Sequence, residues 1–219
     1  MDNKPKAKSI HILIFFSTFA IGVATLLTMQ VVTEAVPALD IWARELRGGW
    51  GNPSLYAFFE KVTVLGSSTF LAPFTLIMAV WLWWRKKDLY ASIVLIIGVI
   101  GSYALNKGIK FAVQRSRPDW VDAIESDGFS YPSGGAMLSL LCFALATYFL
   151  ILHAQKGWSK VVLFVITFTA VVVTGFSRYL LGAHYLTDVI AGFSFGFICL
   201  SVLIGLYHRF SNPNIPSSD

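Results

Sequence analysis

Charge is what this sequence has least of. Asp, Glu, Lys and Arg make up 13% of its 219 residues, against about a quarter in a typical soluble domain. Cysteine is nearly absent as well. Cys142 and Cys199 both fall inside apolar runs, where they read as small packing residues. Two such residues build neither a disulfide framework nor a thiolate zinc site. Internal repeats and low-complexity stretches are missing too. An apolar share of 56% excludes a disordered chain, and the sparse charge excludes a nucleic-acid-binding domain of ordinary type.

What the chain does have is long hydrophobic runs, at a mean hydropathy of +0.66. A membrane-crossing helix needs about 20 mostly apolar residues. Six stretches qualify: 10–32, 67–84, 89–107, 136–152, 161–174 and 186–207. The expected fold is all-α: one polytopic membrane domain over residues 1–219, with six transmembrane helices. Residues 211–219, carrying Pro213 and Pro216, read as a flexible tail. Lys4, Lys6 and Lys8 precede the first run as they would in a signal peptide. Its length of 23 residues exceeds the usual apolar core of such a signal, so it reads as a retained helix.

Lys and Arg set the orientation. With a cytoplasmic N-terminus, the inside segments hold nine positive residues and three acids, and the outside segments eight and nine. That bias places both termini in the cytoplasm. The outside segments are then 33–66, 107–135 and 175–185. In the first, Leu39, Trp42, Ala43 and Leu46 share one helical face, and Leu55, Phe58, Phe59 and Val62 another, behind a helix start at Asn52-Pro53-Ser54. These read as interfacial amphipathic helices on the outer side, serving as a lipid-gathering ramp or lid, or as a packed cap over the bundle.

The other two outside segments carry Lys107, Lys110, Arg115, Arg117, Arg178, His184 and Asp188. Ionisable residues near a membrane are functional candidates by default. Lys110 and Arg117 are seven apart, and Pro118 disfavours helix at Arg117, so the helix should stop between them. Two cations at a helix exit hold a dianion or snorkel to headgroups. Tyr131-Pro132-Ser133-Gly134-Gly135 opens the fourth span. It is either a close-approach anion site at a helix N-terminus or a serine N-cap after a turn. His184 and Asp188 stand at i and i+4. A carboxylate there fixes the imidazole tautomer and leaves the other nitrogen as nucleophile or base, or simply ties down a helix start. Metal chemistry fits poorly. Of the four histidines only His184 lies in the cluster, and the surrounding cations repel a metal ion. Phosphate suits Arg and Lys better.

Together these segments resemble the type 2 phosphatidic acid phosphatase superfamily, whose pattern is K-x6-RP, then PSGH, then SR-x5-H-x3-D. Lys110-x6-Arg117-Pro118 and Ser177-Arg178-x5-His184-x3-Asp188 match the first and third motifs in full. Pro132-Ser133-Gly134-Gly135 matches the second except that Gly135 stands where the family has histidine. Within the superfamily the six-span layout is similar to the bacterial phosphatidylglycerophosphatase B type, and also to undecaprenyl-diphosphate phosphatases. The resemblance implies a lipid phosphatase of the bacterial plasma membrane, with its site at the outer face and needing no metal or other cofactor. Its substrate would be phosphatidylglycerol phosphate, phosphatidate or undecaprenyl diphosphate. Lys110, Arg117, Ser133, Gly134 and Arg178 would bind phosphate, His184 would form a phosphohistidine, and Asp188 would orient it. Gly135 cannot protonate a leaving group, so the resemblance implies either an impaired enzyme or an inactive lipid-phosphate-binding protein. A transporter would show mid-membrane polar residues and repeat symmetry, and this sequence shows neither.

Overall fold

The computed structural model describes residues 7–34, 36–48, 52–119, 128–154 and 156–211. Every regular element among them is helical: α1 (Ala7–Thr33), α2 (Ala38–Gly48), α3 (Pro53–Thr63), a 3-10 turn (Val64–Gly66), α4 (Ser68–Lys86), α5 (Leu89–Val113), α6 (Gly134–Leu152), α7 (Gly157–Leu180) and α8 (Leu186–Phe210). All six expected spans lie on helices. Of the proposed tail only Ser211 is among the described residues.

Five helices, α1, α5, α6, α7 and α8, are each long and apolar enough to cross a bilayer. The helix on the second expected span, α4, is not. It reaches that standard only together with Pro53–Gly66, from which it is bent by 49°. The reason is local: α4 opens on Ser68 and Thr69 and closes on Arg85 and Lys86, which leaves too short an apolar middle.

Several helices overrun the expected spans. α5 continues to Val113 and α7 runs from Gly157 to Leu180. A hydropathy reading stops at the first polar residues, whereas backbone hydrogen bonding continues through them. Ser177 and Arg178, expected in the outside segment 175–185, therefore sit in the last turn of α7.

Local signals explain the helix ends. The Asn52 side chain accepts from Ser54 N at 2.9 Å ahead of Pro53, the expected start of α3. Lys87 takes a left-handed φ of 56° after α4, and Asp88 N–H reaches back to Leu82 O at 3.1 Å. The Asp88 carboxylate then caps α5 at Ala91 N, 2.8 Å away. Gln114, at φ 51°, closes α5 with its N–H on Lys110 O. The helix thus stops between Lys110 and Arg117, as expected from Pro118.

α6 is the central post. Met137, Leu141, Leu145 and Phe149 are fully buried along it, the last three packed among Leu82, Leu95 and Leu200 from α4, α5 and α8. Its contact with α8 is made by two glycines one turn apart. A Cβ on Gly192 would lie 2.6 Å from Ser133 O, and one on Gly196 would lie 2.7 Å from Met137 O. Only glycine allows that backbone approach, the small-xxx-small logic of membrane helix pairs. α1 leans on α8 through Leu27, Val31 and Ala191.

The two amphipathic helices sit differently. Along the apolar stripe of α2, Leu39, Trp42 and Leu46 are exposed and only Ala43 is buried. The edge that α2 turns into the protein carries Asp40, which is buried. α3 packs as expected for a cap, with Phe59 buried against Phe176 of α7.

The Gly192 contact predicts a clear asymmetry. Gly192→Ala pushes a methyl into the backbone of residue 133, and overpacking of this kind costs about 1–3 kcal/mol. Gly101→Ala on α5, with nothing within 4 Å, leaves stability unchanged or slightly raised, since alanine favours helix. Thermal unfolding of the two variants in detergent checks this, and equal midpoints would contradict the packing argument.

Candidate functional site

The polar residues converge at one end of the bundle. Lys110 comes from the last turn of α5, and Arg115 and Arg117 from the extended chain after it. Ser130 and Ser133 come from the segment leading into α6. Arg178 ends α7, His184 lies in the turn before α8, and Thr187 and Asp188 sit in the first turn of α8. Asp40 reaches in from α2.

His184 is held in a tight turn in which Gly182 takes φ 73° and His184 N–H bonds Arg178 O at 3.1 Å. Only 3% of the residue is exposed. Its Nδ1 lies 3.3 Å from Ser130 Oγ and 3.6 Å from Asp188 Oδ2. Ser130 Oγ in turn donates to Asp188 Oδ2 at 2.5 Å. The link between imidazole and carboxylate therefore runs through a serine hydroxyl. On the other side Nε2 is 3.5 Å from Arg117 Nη1. Burial first, and then the positive charges of Arg178 and Lys110, push the His184 pKa down to about 4 against the pull of Asp188. The imidazole is neutral at ordinary pH.

His184 and Asp188 do meet, but not on a shared helical face. α8 begins at Leu186, so His184 precedes the helix and Asp188 occupies its third position. The Asp188 carboxylate folds back over the turn to accept Tyr185 N–H at 3.0 Å. Its other oxygen accepts from Arg115 Nη1 at 2.6 Å. The Asp188 carbonyl accepts Ser133 N–H at 2.9 Å, which ties the loop before α6 to the start of α8.

Backbone carbonyls anchor Lys110 and Arg117, and a hydroxyl anchors Arg178. Lys110 Nζ donates to Phe129 O and, at 3.1 Å, to Ser130 O. Arg117 donates to Gly128 O at 2.9 Å and Ala183 O at 2.7 Å. Arg178 Nη1 donates to Thr63 Oγ1 at 2.9 Å. Its Nε is buried with no hydrogen-bond partner among the described residues. Ser133 is the N-cap of α6, its hydroxyl accepting from Ala136 N at 3.5 Å. That leaves the N–H groups of Gly134 and Gly135 at the open, positive end of the central helix. A Cβ on Gly135 would lie 3.1 Å from Arg178 Cδ and 3.2 Å from its Nε, so the Arg178 side chain lies directly over this glycine. Among the described residues no three His, Cys, Asp or Glu converge as metal ligands.

Every site residue expected from the sequence is thus in this cluster. Four of its members had no assigned role: Ser130, Asp40, Thr187 and Arg115. Arg115 could have been suspected from Arg115-x-Arg117-Pro118, a second arginine beside the motif. Ser130 and Asp40 carry no sequence signal of their own. Lys107 stays apart, its ammonium over the Tyr103 ring at 5.7 Å.

Comparison with known proteins places the chain in a family. The family model of the PAP2 superfamily matches residues 89–211, the region holding all three motifs. Phosphatidylglycerophosphatase B of Bacillus subtilis (strain 168) is 30% identical over 200 residues, covering 90% of this chain and 94% of that protein. The crystal structure of the first transmembrane PAP2-type phosphatidylglycerolphosphate phosphatase, from Bacillus subtilis, superposes with a TM-score of 0.84. The identity is 26%, over 90% of this chain and 98% of the other. LpxE of Aquifex aeolicus shares the fold at a TM-score of 0.59 and 24% identity, over 77% of this chain and 96% of that one. With its membrane-spanning helices and these relatives, the chain is an integral membrane protein that belongs to the PAP2 superfamily.

Proposed function

We propose that this protein is a lipid phosphatase that works without a metal ion, through a phosphohistidine at His184. The observation that carries the reading is the surroundings of His184. A neutral, buried imidazole stands among Lys110, Arg117 and Arg178, beside an open helix N-terminus. The phosphate class of substrate follows from that charge. The lipid class follows from the position of the site at the end of a bundle of apolar helices and from the relatives' activity on phosphatidylglycerol phosphate. Phosphatidylglycerol phosphate leads as substrate, with phosphatidate and undecaprenyl diphosphate as the other members of the class. The excess of Lys and Arg in the segments at the opposite end puts both termini in the cytoplasm and the site at the outer face.

The chemistry proceeds in two displacements. Nδ1–H of His184 points to Ser130 Oγ, whose own proton points to Asp188, so the lone pair is on Nε2. Nε2 attacks phosphorus, an N–P bond forms, and the P–O bond to the lipid breaks. Lys110, Arg117, Arg178 and the N–H groups of Gly134 and Gly135 stabilise the charge on the equatorial oxygens. Ser133 caps the helix that presents those groups. The positive imidazolium that forms is held by the negative end of the Ser130–Asp188 chain. Water then attacks phosphorus, the N–P bond breaks, and phosphate leaves. In the first step the departing oxygen must take its proton from water, because Gly135 offers none.

A second reading rests on Gly135 alone: the site binds lipid phosphates but turns them over too slowly to matter. Phosphate release from detergent-solubilised phosphatidylglycerol phosphate, phosphatidate and undecaprenyl diphosphate separates the two. General-acid help is worth about 10²–10⁴-fold, so Gly135→His should raise phosphatidate hydrolysis by that order. A Cβ at position 135 asks the flexible Arg178 side chain to shift by tenths of an ångström. No release by either form would leave the binding reading standing.

The gain should also depend on the leaving group. An alkoxide needs a proton more than a phosphate ester does, so Gly135→His should help the monophosphates more than the diphosphate. Equal gains would contradict a missing acid.

The state of His184 can be read without turnover. In ¹⁵N-histidine spectra of the protein in micelles, with the signal assigned from His184→Asn, the ring should stay neutral at about pH 5.5. A histidine with an ordinary pKa near 6.5 is mostly protonated there. Protonation with a midpoint near 6.5 would remove the basis for a nucleophile kept neutral by burial.

A further inference from the structure

Asp40 lies outside the region that matches the family model, on a cap helix whose apolar stripe faces away from the protein. Yet it is 2% exposed, and its side-chain hydrogen bonds lead to the site. Oδ1 accepts the backbone N–H of Thr187 at 2.9 Å, the second position of α8. Oδ2 accepts the Thr187 hydroxyl at 2.6 Å and Arg115 Nη2 at 2.7 Å. Arg115 Nη1 donates in turn to the Thr187 hydroxyl at 2.8 Å and to Asp188 Oδ1 at 2.6 Å. The guanidinium carbon lies over the Tyr185 ring, 3.9 Å from its centroid. One arginine is thus clamped between carboxylates from two helices, and its orientation is fixed by both.

We propose that Asp40 is a positioning residue of the centre. It acts on Asp188, and through Asp188 on His184, by way of Arg115 and the first turn of α8. The inference rests on the reading of His184 as nucleophile. A helix cap alone would need no charge, because an amide or hydroxyl oxygen satisfies a free N–H as well. The negative charge matters because Arg115 is shared. With Asp40 ionised, the positive charge of Arg115 is divided between two anions, and Asp188 keeps enough negative potential to support an imidazolium. Without it, Arg115 turns its full charge on Asp188 and loses one of the contacts that hold its plane. Both changes weaken the grip of Asp188 on Ser130 and His184.

The structure also makes the test practicable. α2 is held to the bundle independently of Asp40, by Arg47 Nε on Leu180 O at 2.8 Å and by the Tyr179 hydroxyl on Ala43 O. Asp40→Asn should therefore leave the helix docked.

The experiment compares Asp40→Asn with Glu45→Gln, which removes the same charge from an exposed position on the same helix. Both are made in the full chain and in its Gly135→His form, and thermal unfolding is recorded for each. If Asp40 positions the centre, Asp40→Asn lowers kcat by about 10- to 100-fold, the scale on which partners one bond removed from a working ligand act. KM should stay within about twofold, and the ¹⁵N signals of His184 should move. Glu45→Gln should do none of this. Thr187→Val deletes the hydroxyl shared by Asp40 and Arg115 while keeping all charges, and should show the same kcat-selective loss at smaller size. It also serves if Asp40→Asn fails to fold. Equal kcat and unmoved His184 signals in Asp40→Asn and Glu45→Gln would overturn the proposal. If no form hydrolyses any lipid phosphate, the phosphatase reading fails separately. The His184 signals then decide alone, a shift in Asp40→Asn supporting the positioning role and no shift overturning it.

Discussion

A carboxylate buried at the mouth of a membrane helix is the constraint on which this site is built. Asp188 is fully buried, and an isolated ionised carboxylate in such a place is strongly unfavourable. Arg115 makes it tolerable, and its own charge is made tolerable in turn. Burial works against that charge, but the carboxylates of Asp188 and Asp40 outweigh it and raise the Arg115 pKa. Asp188 also collects the N–H of Tyr185 and the hydroxyl of Ser130. All these donors come from different stretches of chain, so ionising Asp188 and assembling the site are one event. Removing any donor leaves a charge short of partners in a place where water does not easily replace them.

The same economy governs the packing beneath. Ser133 can meet the first turn of α8 only because Gly192 has no side chain, and Gly196 repeats the approach one turn further along. The close contact of α6 and α8 therefore serves two purposes. It lets the backbones pack in a lipid environment where apolar burial gives helices little reason to associate. It also brings the open N-terminus of α6 against the turn carrying His184. An anion at that point meets a helix dipole and fixed cations together, with no reorganisation required.

Much of this was legible in the sequence, and the limits of legibility are physical. Apolar runs are local, so their number and order could be read directly. What could not be read was that α4 depends on the bent segment before it, because its flanks are polar for reasons the hydropathy of the run does not show. The motif residues Lys110, Arg117, Arg178, His184 and Asp188 could be named from spacing and residue type. The way His184 and Asp188 meet could not, since an i, i+4 pair suggests a helical face and the chain instead uses a turn with Asp188 folding back over it. Ser130 and Asp40 were out of reach. Their partners lie 58 and 147 residues away along the chain, and a serine before a turn or an acid in the first turn of an amphipathic helix looks ordinary. An acid near an apolar stripe is a weak signal that acquires meaning only when the opposite edge of the helix proves to be the buried one.

Gly135 separates two functions that phosphatase sites usually combine. On the proposed reading, binding a phosphate would depend on the fixed charge of Lys110, Arg117 and Arg178, which the fold brings together. Delivering a proton to the leaving oxygen would fall to a side chain at position 135, where glycine has none. The vacancy is not simply empty space, because the methylenes of Arg178 lie against the backbone where a histidine would begin. The glycine therefore affects the cation as well as the acid. It lets Arg178 settle close over the start of α6, with its buried Nε unpaired among the described residues. On the proposed chemistry, the rate of a site that lacks this acid would depend more on how well the departing group carries negative charge than on how well the phosphate is bound.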